Sequence, residues 1–177
     1  MSAIDMLDFI PHSVDAEQSV IGAVLIRPSA IDEISTLKPE HFYVSAHREI
    51  YRVMVDMSAH GKQIDVVTLA ETISERGLDD ATGGLSYIGE IAHNTPSASN
   101  VKRYAEIVQS KSVERQLLAA VDEIRAAVMS VGPTKEKLDK AQAMVMAISE
   151  SRQQKQPRKV SDALNDYVDT LTRRYAG

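Results

Sequence analysis

The chain has 177 residues, of which 44% are hydrophobic and 5% aromatic, and its 20 basic and 25 acidic residues give a net charge of -5. The absence of cysteine excludes disulfides, zinc–thiolate sites and cysteine nucleophiles. The acidic balance disfavours a domain that mainly grips nucleic-acid phosphates, since such domains carry excess lysine and arginine. Few aromatic residues and no tryptophan leave a core of Ala, Leu, Ile, Val and Met, which predicts an all-α fold.

Residues 1–12 are expected to form a flexible leader, which lacks the basic start and long apolar stretch of a signal peptide. Ser13 is a good N-cap, and the apolar residues after it predict a helix that Pro28 ends. A short helix around 31–35 and a single turn at 39–42 follow. No apolar run is long enough to span a bilayer, so we expect a cytoplasmic protein.

Ser45 is predicted to cap a third helix, and Gly61 to end it in the left-handed conformation. The stretch 64–68 allows two interpretations: its apolar residues are briefly strand-like, but Asp65 could equally cap another helix. Gly77 is expected to close that helix. These alternatives remain open from the local pattern.

A turn at 82–84, a short helix over 85–91 and a chain break at 94–97 complete the pattern of short elements. Together, these elements predict a globular helical head over residues 13–98. Its apolar stripes are interpreted as the core of that head.

Residues 99–151 are predicted to form a helical hairpin. From about Ser99 to Met129 there is no Gly or Pro, apolar residues recur every three or four positions, and Gly132-Pro133 forms a tight turn before a second helix. The first arm also has apolar residues off its main stripe, at Tyr104, Val108, Leu118, Ala119 and Ala120. This extra apolar width favours self-association or partner binding.

Residues 152–159 are polar and basic and contain Pro157, which predicts a linker. One more amphipathic helix is expected over 160–177. Because a helix of this length is marginal alone in water, we interpret it as a docking helix, with fraying disorder as the simpler alternative.

No catalytic site is predicted. The Gly61-Lys62 pair fails as a phosphate-binding loop, because the earlier glycine is replaced by Asp56 and the final Ser/Thr by Gln63. The histidines show no metal-ligand spacing and are expected in loops or on helix surfaces. We therefore expect no metal and no cofactor in this chain.

Consecutive stretches of the chain resemble the N-terminal region of DnaB-type replicative DNA helicases. They are PHSVDAEQSVIG at 11–22, HREIY at 47–51, IDVVTL at 64–69, GGLSYI at 83–88 and NTPSASN at 94–100, before Tyr104-Ala105. Their order and spacing agree over about residues 10–150. The first and last of these stretches are highly specific.

The resemblance implies a helical head plus a helical hairpin. Copies of this unit form a hexameric collar, commonly a trimer of dimers, on a ring of RecA-like motor domains that use ATP and Mg²⁺. The collar recruits a DnaG-type primase, mainly through the hairpin side, and a helicase loader is a further partner. The linker helix packs against the motor domain of the neighbouring subunit.

On this sequence, the oligomer and primase interface is expected at hairpin residues Leu117, Leu118, Val121, Ile124, Arg125, Leu138, Val145 and Ile148. The docking face of the linker helix is expected at Leu164, Tyr167, Val168, Leu171 and Tyr175. The motor domain of the family is absent from the sequence. Either the chain is a truncated helicase, which we favour, or it is a free-standing plasmid or phage product that mimics the collar.

Two other classes of function fit the sequence less well. An autonomous nucleic-acid-binding domain is supported by the basic segment 152–159 and by Arg173-Arg174, but the net charge opposes it. An enzyme in its own right has no candidate residues. We therefore expect weak or no direct nucleic-acid binding.

Overall fold

A computed structural model describes residues 10–153 of the chain. Every regular element in that range is helical, which confirms the all-α prediction. The elements are α1 Val14–Ile26, α2 Ala30–Glu33, a 3-10 turn Pro39–His41, α3 Ser45–Ala59, α4 Val66–Glu75, α5 Asp79–Thr82, α6 Gly84–Asn94, α7 Val101–Met129 and α8 Thr134–Gln153. The chain divides into two compact units, a first unit that ends at Asp122 and a second unit that begins at Glu123.

Several predicted features lie outside the described residues: most of the leader, most of the linker and the whole docking helix. The latter includes Leu164, Tyr167, Val168, Leu171 and Tyr175. Arg152 and Gln153, which the sequence placed at the start of the linker, belong to α8. Within residues 10–153, no helix is long and apolar enough to cross a membrane.

Helix α1 begins where the sequence predicts. The Ser13 hydroxyl accepts a hydrogen bond from the Ala16 amide at 3.4 Å, and two acidic residues occupy the first turn, where the helix dipole favours negative charge. Every residue from Val20 to Leu25 is buried. Helix α1 is therefore surrounded by other elements of the first unit.

The start of α3 corrects the predicted cap. Val44, in an extended conformation, is the N-cap residue, and Ser45 is the first helical residue. The amides of Tyr43 and Val44 instead donate to the carboxylate of Glu17, at 2.6 and 3.2 Å. A side chain from α1 thus serves the start of α3, so no local serine cap forms.

The stretch 64–68 forms the start of a helix and not a strand. The Asp65 carboxylate accepts hydrogen bonds from the amides of Val67 and Thr68, both at 2.9 Å, and the Thr68 hydroxyl accepts from the Asp65 amide at 3.0 Å. These form a reciprocal capping box. The hydrogen bonds from Thr68 and Val67 lower the pKa of Asp65 below its ordinary value.

Gly22 lies where α1 packs tightly against the end of α6. A Cβ atom at this position would lie 1.9 Å from Oγ1 of Thr95, a residue that follows α6. Thr95 is itself held by a 2.8 Å hydrogen bond from its hydroxyl to the Ile91 carbonyl. Only glycine therefore allows these two segments to pack at this distance.

The core of the first unit also includes the beginning of α7. Val101, Ala105 and Val108, which the sequence grouped with the hairpin, pack into this core, and Tyr104 is partly buried against it. Ala120 is also buried. The extra apolar width assigned to the first hairpin arm therefore reduces to Leu118 and Ala119, which are exposed.

Candidate interaction surface

The first unit contains a buried polar network that joins α1, α3 and α6. The Glu17 and His47 side chains are 2% and 0% exposed, and a carboxylate oxygen of Glu17 lies 2.8 Å from Nδ1 of His47. On the other side of the imidazole, Nε2 lies 2.8 Å from the hydroxyl of Tyr87, to which Gln18 donates at 3.1 Å.

One tautomer satisfies every member of this network. With the proton on Nδ1, His47 donates to Glu17 and accepts from the Tyr87 hydroxyl, which in turn accepts from Gln18. The expectation that the histidines lie in loops or on helix surfaces is therefore wrong for His47. Glu17 and His47 both fall within stretches that carry the family resemblance, but no local pattern pairs them. We interpret the network as a structural link within the first unit.

Arg115 of α7 holds two distant carbonyl groups. Its guanidinium donates to the carbonyl oxygens of Pro11 at 2.8 Å and His41 at 2.6 Å, and lies 5.6 Å from the centre of the Tyr43 ring. The ring of His12 stacks on the ring of Tyr43, with the two centroids 4.4 Å apart. Burial lowers the pKa of Arg115, although an arginine stays charged at neutral pH.

No group of three His, Cys, Asp or Glu side chains comes together as a possible metal site among residues 10–153. The buried network serves the packing of the first unit. Exposed large apolar side chains occur on several helices of the described residues, among them Val67 on α4 and Leu85 on α6, and they are most numerous on α7 and α8.

The later turns of α7 carry large apolar side chains that the chain leaves in contact with solvent. Leu117, Leu118 and Val121 are 45%, 50% and 60% exposed. All three were predicted interface residues, and all three lie in the first unit. Their exposure is compatible with a role in binding, and it shows that the core of the first unit does not use them.

The second unit buries no side chain completely among its described residues, 123–149. Of the predicted interface residues here, Leu138 and Val145 are 58% and 49% exposed, Arg125 is exposed, and Ile124 and Ile148 are half-buried. This unit differs from an ordinary domain, in which the larger apolar residues are enclosed.

A groove with mostly apolar walls lies within the second unit. Its volume is about 570 Å³, and its lining residues are Ile124, Ala141, Gln142, Val145 and Met146. The sequence nominated Ile124 and Val145 for the interface but not the other three. Helical spacing would have found them, since positions 141, 142, 145 and 146 share one face of α8.

The connection between α7 and α8 is fixed by Lys137. Its ammonium group donates to the carbonyl oxygens of Val128 at 2.9 Å and Ser130 at 2.6 Å. A cation at the end of a helix also interacts favourably with the helix dipole. These bonds stabilise the predicted turn at Gly132-Pro133.

Comparisons with known proteins agree with this architecture. The family model described as the DnaB-like helicase N terminal domain matches residues 10–110. The replicative DNA helicase DnaB of Pasteurella multocida (strain Pm70) is 39% identical over 145 residues, which are 80% of this chain and 31% of that protein. The chain thus spans less than two thirds of the length of this relative.

Solved structures also resemble the chain, and two of them illustrate the likeness. The crystal structure of the N-terminal domain of DnaB helicase from Mycobacterium tuberculosis matches with a TM-score of 0.74 and 32% identity, and covers 78% of this chain and 99% of that one. A DnaB-like replicative helicase, solved to show its interactions with primase, matches with a TM-score of 0.66, and covers 89% of this chain and 35% of that one. At 24% identity, this second likeness concerns the fold alone.

The all-helical fold of residues 10–153 and its likeness to a solved DnaB N-terminal domain define the class of protein. It is the class of helical N-terminal domains of replicative helicases. The family model covers more than half of the chain. The chain therefore belongs to the DnaB-like helicase N-terminal domain family. This confirms the resemblance inferred from the sequence.

Proposed function

We propose that this chain forms the collar of a hexameric replicative DNA helicase, where it holds subunits together and recruits primase. The observation that carries the proposal is the set of large apolar side chains that α7 and α8 leave exposed. Burying each such side chain against a partner would contribute roughly 1.5–3 kcal/mol. Exposed apolar surface of this kind is typical of interaction sites.

We assign different roles to two regions of the chain. Residues 13–98, the head, form the scaffold, and residues 99–151, the hairpin, supply most of the contacts to other chains. Self-association through Leu117, Leu118 and Val121 would enclose side chains that a single copy exposes. In the intact helicase, this association would produce a trimer of dimers.

Primase is proposed as the second partner of the hairpin. One structure of similar fold is that of a DnaB-like replicative helicase, described together with its interactions with primase. We extend this partner to the present chain, with a DnaG-type primase contacting the hairpin. The exposed guanidinium of Arg125 lies in the same stretch as Val121 and offers a charged group to a carboxylate of the partner.

The catalytic activity of the helicase is assigned to a RecA-like motor domain that binds ATP and Mg²⁺. The sequence of 177 residues contains no phosphate-binding loop, so this chain would not hydrolyse nucleotide by that route. The linker helix, residues 160–177, would contact the motor domain of a neighbouring subunit, and a loader is a further partner. The site of action would be the cytoplasmic replication fork.

Sedimentation velocity of the full chain tests the self-association. We expect the wild-type chain to form dimers or larger species at high micromolar concentration without nucleotide. The substitution Val121→Asp should shift this association to at least about tenfold higher concentration, because it places a charge within the proposed interface.

Val67→Asp is the matched control, since Val67 is 67% exposed on α4, outside the hairpin. This variant should associate as the wild type does. A strictly monomeric wild type, or equal effects of the two substitutions on folded protein, would contradict the proposal. The same variants in a pull-down with primase extend the test to the second partner.

A further inference from the structure

A cavity of the first unit lies between α3 and the segment that begins with α2. Its volume is about 230 Å³. The first segment contributes Ile31, Asp32, Ser35 and Leu37, and α3 contributes Tyr51, Val55, Ser58 and Ala59. An apolar cavity of roughly 150 Å³ holds a benzene molecule, so this cavity has room for a substituted aromatic ring. Its lining residues belong neither to the hairpin nor to the network around His47.

Tyr51 brings a buried polar group to the wall of this cavity. The residue is 0% exposed, and its ring packs on that of Phe42 with the two centroids 4.8 Å apart. Among residues 10–153, its hydroxyl oxygen has no hydrogen-bond partner. A buried hydroxyl in that condition destabilises the fold, and a partner that accepts from it would remove the cost. Burial also raises the pKa of Tyr51 above its ordinary value, so the hydroxyl keeps its proton and can act as a donor.

The other lining residues define the charge and shape of a suitable ligand. Asp32 is exposed and contributes a carboxylate, and no lysine, arginine or histidine lines the cavity. An anion beside this carboxylate would be repelled. The walls formed by Ile31, Leu37 and Val55 favour an apolar group, because its entry removes apolar surface from water. The lining therefore fits an uncharged molecule that has an apolar ring and one hydrogen-bond acceptor.

We propose that this cavity is a binding site for a small uncharged molecule with an aromatic ring and a carbonyl oxygen, to which the Tyr51 hydroxyl donates. The ring would lie against Ile31, Leu37 and Val55. The carbonyl oxygen would accept from the donor that the folded chain itself leaves unpaired. All the residues of this site belong to the first unit, and the site does not rest on the proposed function.

NMR titration of the full chain with N-methylbenzamide tests the site. This uncharged probe has an aromatic ring, an amide carbonyl and about ten non-hydrogen atoms, for which ordinary ligand efficiencies give a Kd on the order of millimolar. We expect the probe to shift the backbone amide resonances of the cavity residues. Tyr51→Phe, which removes only the hydroxyl, should weaken binding by about fivefold. Benzoate, similar in size but negatively charged, should bind at least about threefold more weakly than the probe.

Ala59→Phe is a second variant, which leaves the Tyr51 hydroxyl in place. Because Ala59 lines the cavity at the end of α3, the added ring should occupy the space of the probe and abolish binding. Ala81→Phe is the matched control, since Ala81 is exposed on α5 and does not line the cavity. This variant should bind the probe as the wild type does.

Thermal unfolding gives a measurement that separates a ligand contact from a structural role of Tyr51. Without the probe, Tyr51→Phe should unfold at the same temperature as the wild type or higher, because the hydroxyl that it removes has no partner. With the probe, the Tm of the wild type should rise by more than that of Tyr51→Phe.

Several results would overturn the proposal. They are no binding of N-methylbenzamide, resonance shifts confined to α7 and α8, equal Kd values for the wild type and Tyr51→Phe, and benzoate binding as tight as that of the probe. A Tyr51→Phe variant that unfolds at a clearly lower temperature without the probe would also overturn it, since the hydroxyl would then already have a partner within the fold.

Discussion

The two units of this molecule differ in whether they have an enclosed core: the first unit has one, although it also exposes Leu117, Leu118 and Val121. The first unit encloses even a carboxylate and an imidazole, Glu17 and His47, each supplied with hydrogen-bond partners. The second unit, in its described part, leaves Leu138 and Val145 about half exposed and encloses nothing completely. The comparison suggests that the first unit is stabilised from within, whereas the second depends on surfaces that other segments or chains would cover.

The largest expected effect comes from breaking the buried network of the first unit. Glu17→Ala removes the acceptor for the amides of Tyr43 and Val44 and for His47. Leaving those groups buried without partners should lower the free energy of unfolding by about 3–5 kcal/mol. Urea denaturation measures this change.

The exposed Glu71 on α4 is the control position, where Glu71→Ala should change the free energy of unfolding by less than about 0.5 kcal/mol. Similar changes in the free energy of unfolding for the two variants would contradict the contrast between the units. The buried network would then contribute no more to stability than a surface residue does.

An intermediate effect is expected at Gly22. The added methyl group of Gly22→Ala meets Thr95 and should lower the free energy of unfolding by about 1–3 kcal/mol. Gly89→Ala in α6 is the matched variant, since a Cβ atom there meets nothing within 4 Å. It should stabilise the helix by up to about 1 kcal/mol. Thermal unfolding that ranks the two variants in the opposite order would contradict the packing described here.

The smallest effect is expected in the second unit. Met129 is 82% exposed at the end of α7, and Met129→Ala should change the free energy of unfolding by less than about 0.5 kcal/mol. Met54→Ala, at a fully buried position of α3, should cost about 2–5 kcal/mol. A comparable loss at Met129 in dilute protein would mean that the second unit has an internal core after all.

Local sequence patterns predict the elements of this fold well. Helical periodicity and glycine positions locate the main helices, and Ser13 and Asp65 act through hydrogen bonds that span two or three residues. The strand-like interpretation of 64–68 is wrong, because the capping box outweighs a short apolar run.

Contacts between distant residues account for the errors. Ser45 has the chemistry of a cap, but Glu17, which lies 27 residues earlier than Val44, takes the amides at the start of α3. The burial of His47 and the carbonyl contacts of Arg115 likewise depend on how the helices pack. The predicted interface residues stay predictions, since their exposure alone does not identify a partner.

Arg115 links α7 by hydrogen bonds to two segments that come much earlier in the chain. It lies within one helical turn of Leu117 and Leu118, and its guanidinium bonds to the backbone of Pro11 and His41. Replacing Arg115 would leave both carbonyl groups without this donor, close to the exposed leucines on the same helix. The exposed leucines therefore lie on a part of α7 that one arginine side chain ties to the backbone of the first unit.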